Sequence, residues 1–315
     1  MKILYLGAFR HSFSTENEIA RALERAGHEV TRLEESEALR ATISAAADEL
    51  RPDVLLVAKA RFQEAGHEWP NDARAVADLI EQVRPAVGRV ACWLFDLLAE
   101  EFSPARFDWA RTIAPACELF VTTDGHTAPK LPGAVVVRQG APDEIDAEAG
   151  WPEECRPEEY EGDVLFLGLP YGDRKRLVEA CFARFGQRFR AVNDCRGPEL
   201  TRLVRSYRLV VGPHWPHFAG YWSNRIYIVA GHGGLFAAPP VEGLSAEGWR
   251  ASGNYLALPR DPAAMADKLA EYLHCDLGQL RAIQQAGHAH ARQQCSYDCR
   301  VAELLALLSD APSQP

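Results

Sequence analysis

No apolar run in this chain reaches the roughly 18–20 residues that a bilayer-spanning helix needs, and Met1-Lys2-Ile3-Leu4-Tyr5-Leu6-Gly7 reads as an opening strand, without the pattern of a signal peptide. A cytoplasmic protein with no membrane span is expected. The cysteines Cys92, Cys117, Cys155, Cys181, Cys195, Cys275, Cys295 and Cys299 form no C-x-x-C pair. With no secretory signal either, a disulfide framework or zinc knuckle is not expected, and the thiols should be reduced and packed. No Asp-x-Asp metal motif occurs, so no metal site is assigned and dependence on a divalent metal stays open. Cations are also in deficit: 34 Lys and Arg against 44 Asp and Glu leave a formal net charge of −10. A broad nucleic-acid surface needs clustered Lys and Arg to neutralise phosphates, so this balance disfavours one, though it is compatible with a local basic groove. Repeats of short period and low-complexity tracts are missing too.

What is present is a soluble globular composition, 47% hydrophobic and 25% charged. At 315 residues the chain exceeds one typical core, and two domains are expected. Strand and helix patterns alternate through both halves. In the first, an apolar strand over Lys2 to Ala8 precedes a capped helix start at Ser14-Thr15-Glu16, and Gly27-His28-Glu29-Val30 turns into a second strand. A helix over Glu37 to Leu50 leads to Val54-Leu55-Leu56-Val57-Ala58, the continuous apolar run of a parallel strand covered on both faces. A helix over Asp72 to Arg84 and strands over Arg89 to Phe95, Glu118 to Thr123 and Ala134 to Arg138 complete this half.

The acidic stretch Asp143 to Gly162, with Pro152 and Pro157, reads as a connection. Beyond it the alternation resumes with strands at Asp163 to Gly168, Arg188 to Val192, Leu209 to Gly212, Leu235 to Ala238 and Tyr255 to Leu258. Helices are expected over Asp173 to Phe185, Pro198 to Ser206, Pro262 to Leu273, Leu277 to Gln294 and Tyr297 to Leu308. The expected architecture is α/β, with two Rossmann-like domains facing across a cleft: residues 1–150, residues 160–295, and 296–315 as a last helix crossing back to the first domain. Closure about the connection would assemble the site.

The most telling segment is Ser223-Asn224-Arg225-Ile226-Tyr227-Ile228-Val229-Ala230-Gly231-His232-Gly233-Gly234-Leu235-Phe236. It reads as helix, glycine turn and buried strand, with Arg225 in the first helical turn. Free backbone N–H groups and a guanidinium at one helix end suit a diphosphate. Arg174, beside Gly172 at the start of another helix, can converge on the same anion after the strand that ends at Gly168.

Two facing Rossmann-like halves with such an Arg helix resemble the GT-B glycosyltransferases. The chain is most similar to the CgeB-type (spore maturation) glycosyltransferase-like proteins, over nearly its whole length, at Trp93-Leu94-Phe95-Asp96, Asn224-Arg225-Ile226-Tyr227, Asp261-Pro262, Ala286-Gly287-His288, and Ser296-Tyr297 with Arg300. It also resembles, more faintly, the phage β-glucosyltransferase that decorates hydroxymethylcytosine in DNA, at Ser14-Thr15-Glu16, Phe95-Asp96, Arg138-Gln139-Gly140, Gly172-Asp173-Arg174 and Arg225-Ile226-Tyr227. Both families place a Glu after the aromatic residue of the Arg helix, where it holds the nucleotide ribose; this chain has Ile228.

The resemblance implies sugar transfer from a nucleotide-sugar donor, by default a UDP-sugar, to a hydroxyl acceptor, with no tightly bound cofactor. Donor binding falls to Arg174, Arg225, Ser223, Asn224, Tyr227, Gly168, Gly233 and Gly234. The candidate catalytic residues are Asp96, a base at the carboxyl edge of a strand and dried by Phe95, Leu97 and Leu98; His11, in the loop after the first strand, alone or in a dyad with Asp96; and Glu16, which can accept hydrogen bonds from acceptor hydroxyls or serve only as a first-turn carboxylate. Asp96 can instead cap the segment that follows it. His214 and His217 lack a third ligand nearby for a metal, while the aromatic loop Pro213 to Phe218, with Tyr221 and Trp222, can stack on a sugar or base. Two alternatives stand beside this reading: a DNA glycosyltransferase acting on 5-hydroxymethylated pyrimidine, and a catalytically weak or inactive nucleotide-sugar-binding protein.

Overall fold

The computed structural model describes residues 1–35, 40–59, 72–152 and 156–310. Cys155 and the expected helix start at Glu37 lie outside the described residues. The chain divides into two compact units, Met1–Gln139 with Tyr297–Pro315, and Gly140–Ser296.

The first unit is built on a six-stranded sheet in which every pairing is parallel. Its strands are β1 (Lys2–Gly7), β2 (Glu29–Glu34), β3 (Val54–Lys59), β4 (Arg89–Leu94), β5 (Leu119–Thr122) and β6 (Ala134–Val136), in the order β2-β1-β3-β4-β5-β6. The crossovers carry α1 (Thr15–Arg25), α2 (Arg40–Leu50), α3 (Ala73–Val83) and α4 (Pro104–Ile113). Alternation along β1 sends Leu4 and Leu6 into one core and Ile3 and Tyr5 into the other, so both faces are covered. The last helix of the chain, α10 (Tyr297–Asp310), belongs to this unit. Its Tyr297, Val301, Leu304 and Leu308 recur at helical spacing and join Ile19 and Leu23 of α1 in the second core. α4 has no counterpart among the elements expected from the sequence. Its apolar spacing is carried by Phe107, Trp109, Ala110 and Ile113 behind Pro104, a short and weakly amphipathic pattern.

The second unit has a five-stranded parallel sheet of β7 (Gly162–Leu167), β8 (Phe189–Val192), β9 (Tyr207–Val211), β10 (Phe236–Ala238) and β11 (Leu256–Ala257), in the order β11-β10-β9-β7-β8. Its helices are α5 (Asp173–Phe185), α6 (Gly197–Arg205), α7 (Arg225–Gly231), α8 (Pro262–Tyr272) and α9 (Leu277–Gln294). Leu165 and Leu167 face one core, Val164 and Phe166 the other. Asp residues cap two of these helices: Asp261 Oδ1 accepts from Ala264 N at 2.9 Å and Asp276 Oδ1 from Gln279 N at 2.8 Å. The stretch after Asp143 is bonded into this unit. Asp146 N donates to Thr201 Oγ1 at 3.0 Å, and the Asp146 carboxylate accepts from Arg202 Nε at 2.7 Å.

Strand order locates the ligand edge of each sheet. In an open parallel sheet, ligands bind beyond the carboxyl ends of the strands where the winding reverses. In the second unit that point lies between β7 and β9, and in the first between β1 and β3. Among the described residues no helix is long and apolar enough to cross a membrane.

Candidate functional site

The loops after β7 and β9 bring two arginines to the switch point of the second sheet. Arg174, in the first turn of α5, is 4% exposed. Its Nε donates to Pro213 O at 3.3 Å and Nη2 to Trp215 O at 3.4 Å, and its guanidinium carbon lies 4.7 Å from the centre of the Tyr171 ring. Arg225 opens α7. Its Nε donates to Leu167 O at 2.7 Å and Nη1 to Ser223 Oγ at 2.8 Å. Among the described residues neither guanidinium has a carboxylate partner. Burial, and next the nearby Arg174, push the Arg225 guanidinium down to about 10, still a cation at neutral pH; burial also lowers Arg174. Two partly dried cations without a counter-charge are groups that an anionic ligand would pair, because buried charge is costly until it is paired.

Two glycines make room for Arg225. A Cβ on Gly168, whose φ is +120°, would lie 2.3 Å from Arg225 Nη2, and one on Gly212 would lie 2.9 Å from its Cδ. The side chain is thus threaded between the ends of β7 and β9. α7 has only seven residues and Asn224 caps it with no side-chain hydrogen bond, so an anion here would meet the guanidinium forks more than the expected helix end.

Other residues expected to bind the donor lie elsewhere. Tyr227 is 1% exposed, and its hydroxyl accepts from Trp222 Nε1 at 2.8 Å inside the core. Two residues after Arg225 on a helix, it necessarily faces another way. Gly233 lies past the far end of α7, its carbonyl accepting from Trp151 Nε1 at 2.8 Å and Gln284 Nε2 at 2.9 Å. Gly234 packs among Val204, Val210 and Val229. All three have packing roles, and Trp222 is core for the same reason as Tyr227. Ile228 packs partly buried against that core. From the aromatic loop, Trp215 lies over the Gly172 backbone, its Nε1 2.7 Å from where a Cβ would stand.

In the first unit the expected catalytic residues are spread along the carboxyl edge of its sheet. Asp96 follows β4, and its side chain is 37% exposed, with Oδ2 3.5 Å from Arg106 Nη1. Burial raises its pKa, and Arg106 opposes the rise. No helix begins there: α4 starts behind Ser103. The backbone around Asp96 is pinned, since Thr123 Oγ1 and Gln139 Nε2 both donate to Phe95 O at 2.9 Å. Fully buried Asp124 accepts from Leu98 N at 2.9 Å and also from His126 N and Thr127 N. These roles of Thr123, Asp124 and Gln139 are not legible in the sequence, because their partners are backbone atoms, most of them distant in the chain.

His11 is exposed, and its backbone carbonyl accepts from Asn17 Nδ2 at 2.9 Å; no hydrogen bond joins it to Asp96 among the described residues. Glu16 differs most from a first-turn surface carboxylate. It is 2% exposed and its Oε1 has no hydrogen-bond partner, while fully buried Tyr5 also has an unpartnered hydroxyl. Burial pushes the Glu16 carboxyl up to about 7, helped by Glu35 and opposed by hydrogen bonds from its own and the Ala8 backbone. It therefore titrates near neutrality. No group of three or more His, Cys, Asp or Glu among the described residues is arranged to hold a metal ion.

No protein-family model and no curated protein sequence matches the chain. Solved structures do. The chain is similar to Anabaena HepE in complex with UDP and glucose at 13% identity and a TM-score of 0.69, covering 98% of this chain and 99% of that one. It is similar to an α-glucosyltransferase in complex with UDP and a 13-mer DNA containing an HMU base at 8% identity and a TM-score of 0.70, covering 98% and 100%. It is similar also to sucrose-phosphate synthase from Thermosynechococcus elongatus at 11% identity and a TM-score of 0.62, covering 98% of each chain. At these identities the likeness is one of fold: two Rossmann-like domains of the GT-B type.

Proposed function

We propose that this protein is a glycosyltransferase that moves a sugar from a nucleotide-sugar donor, a UDP-sugar by default, to a hydroxyl acceptor. The observation that carries the reading is the pair Arg174 and Arg225, two cations without carboxylates at the switch point of the second sheet. The fold likeness to structures holding UDP supports it. In the reaction the bond from the sugar's anomeric carbon to the diphosphate breaks, negative charge builds on the departing oxygen, and two guanidinium forks stabilise it. Asp96 is assigned the proton of the acceptor hydroxyl, taken as that oxygen bonds the anomeric carbon. Ile228 leaves the ribose to other groups, which lowers donor affinity relative to a chain with Glu there. Within the fold, the motif order at Asp96, Arg225, Asp261, Gly287 and Tyr297 supports the CgeB-type assignment.

The test is release of UDP from UDP-glucose with a panel of sugar, glycan and protein hydroxyl acceptors and a DNA duplex bearing hydroxymethylated pyrimidine. Acceptor-dependent release is expected. Release with the DNA alone would move the acceptor to nucleic acid, UDP binding without any release would make the protein a donor-binding scaffold, and absence of UDP binding would overturn the proposal.

A further inference from the structure

Between Arg174 and Arg225 lies a residue the sequence marks only as a weak metal candidate. His214, in the loop after β9, is fully buried, with its ring centre 6.2 Å from that of Phe236. Its Nδ1 accepts from Ser223 N at 3.0 Å. A neutral imidazole that accepts at Nδ1 carries its proton on Nε2, and that buried atom has no partner among the described residues. Ser223 in turn accepts Arg225 Nη1 on its Oγ at 2.8 Å. With Nε fixed on Leu167 O, these contacts define the plane of the guanidinium and leave Nη2, against Gly168, as the nitrogen with no protein acceptor among the described residues.

We infer that His214 is a positioning residue of the diphosphate clamp: as a neutral acceptor it holds the Ser223 backbone, and Ser223 Oγ orients the Arg225 fork toward the anion. This rests on reading Arg174 and Arg225 as an anion site. The chemistry explains why an imidazole stands here. A carboxylate would accept equally well from Ser223 N but would pair with the two guanidinium groups and compete with the ligand, whereas an apolar side chain would leave the Ser223 amide unheld. The imidazole stays neutral because of burial first, then His217, Arg225 and Arg174, which together push it down to about 3. Protonation would add a third cation and remove the acceptor.

The test is calorimetric titration of the full chain with inorganic pyrophosphate and with UDP. His214→Leu removes the acceptor, while His214→Asn keeps a neutral acceptor near the Nδ1 position. Ser223→Ala deletes the hydroxyl and keeps the backbone N–H. Losing one charge-oriented hydrogen bond is on the order of tenfold in affinity, so His214→Leu and Ser223→Ala should each weaken pyrophosphate about tenfold, His214→Asn should stay within about threefold of wild type, and the double variant should be no weaker than the worse single one. If His214→Leu does not fold, Ser223→Ala and His214→Asn still decide, because a loss in the first with retention in the second is required. Additive losses, His214→Asn falling as far as tenfold, or unchanged binding in Ser223→Ala would overturn the relay. Wild-type protein that binds neither ligand would overturn it together with the anion site. Binding of pyrophosphate without UDP would refute the nucleotide-sugar reading alone, and the variants would still test the relay on pyrophosphate.

Discussion

Arg225 and Glu16 pose the same problem with opposite signs: a charge taken out of water. Arg225 keeps its charge, since two acceptors hold it and an arginine does not readily give up its proton. Glu16 gives way. Its folded pKa of about 7 stands above its ordinary 4.5, so the buried group favours the fold fully below pH 4.5, and that contribution is lost as pH rises through 7. Glu16→Gln should accordingly raise stability at pH 8, on the order of 2 kcal/mol, and change it little at pH 4; urea midpoints at the two values check this. At Asp96 the expectation concerns rate. Asp96→Asn keeps the shape and removes the base, so turnover should fall at least about a hundredfold while UDP still binds, and His11→Ala, an exposed side chain with no bond to Asp96, should cost little. Comparable losses in both variants would restore the dyad. Wild-type turnover in Asp96→Asn at saturating substrate would remove Asp96 from the chemistry.

Among the elements, the strand, glycine and helix units at β7–Gly168–α5 and at β9–Gly212 with α7 do the positioning, and Gly168 is where they meet. Gly168→Ala puts a Cβ 2.3 Å from the Arg225 fork, at a φ of +120° that L residues rarely adopt. It should lower UDP affinity about tenfold or more and stability by roughly 1–3 kcal/mol, read by calorimetry and thermal melting; a variant that binds UDP as wild type does would show that Arg225 need not lie against this glycine. Much of this level was legible in the sequence. The apolar runs at Val54–Ala58 and Asp163–Gly168 predict strands, Ser14 marks a helix start, and Arg225 is expected in the first turn of a helix that stops at glycines, where the structure has it. What periodicity could not give is direction. The resemblance assigns Tyr227, Gly233 and Gly234 to the donor, whereas the helical turn sends Tyr227 to Trp222 and the two glycines are packed by Trp151 and Val204. The roles of His214 and Asp124 are not legible in the sequence because they act on backbone N–H groups brought near by the fold.

At the scale of the whole molecule, the chain holds two separately cored units with opposite responses to acid. His214 and His232 of the second unit are both pushed down to about 3, by burial and then by neighbouring cations. Their neutrality stabilises that unit above pH 6.5, and the stability is lost as pH falls toward 3, by about 1.4 kcal/mol per pH unit for each histidine. Glu16 acts in the first unit with the reverse sign. Scanning calorimetry at pH 7.5 and 5.5 should therefore show the transition that UDP raises moving down on acidification relative to the other; a parallel shift of both would count against buried neutral histidines. The second unit's anion site is the centre of the functional reading, and titration of UDP into wild-type protein and Arg225→Ala by isothermal calorimetry tests it most directly. The expected result is a loss of roughly 1.5–3 kcal/mol, the range for a charge-assisted hydrogen bond, in a variant that melts as wild type does. Equal UDP affinity in the two folded proteins would contradict it.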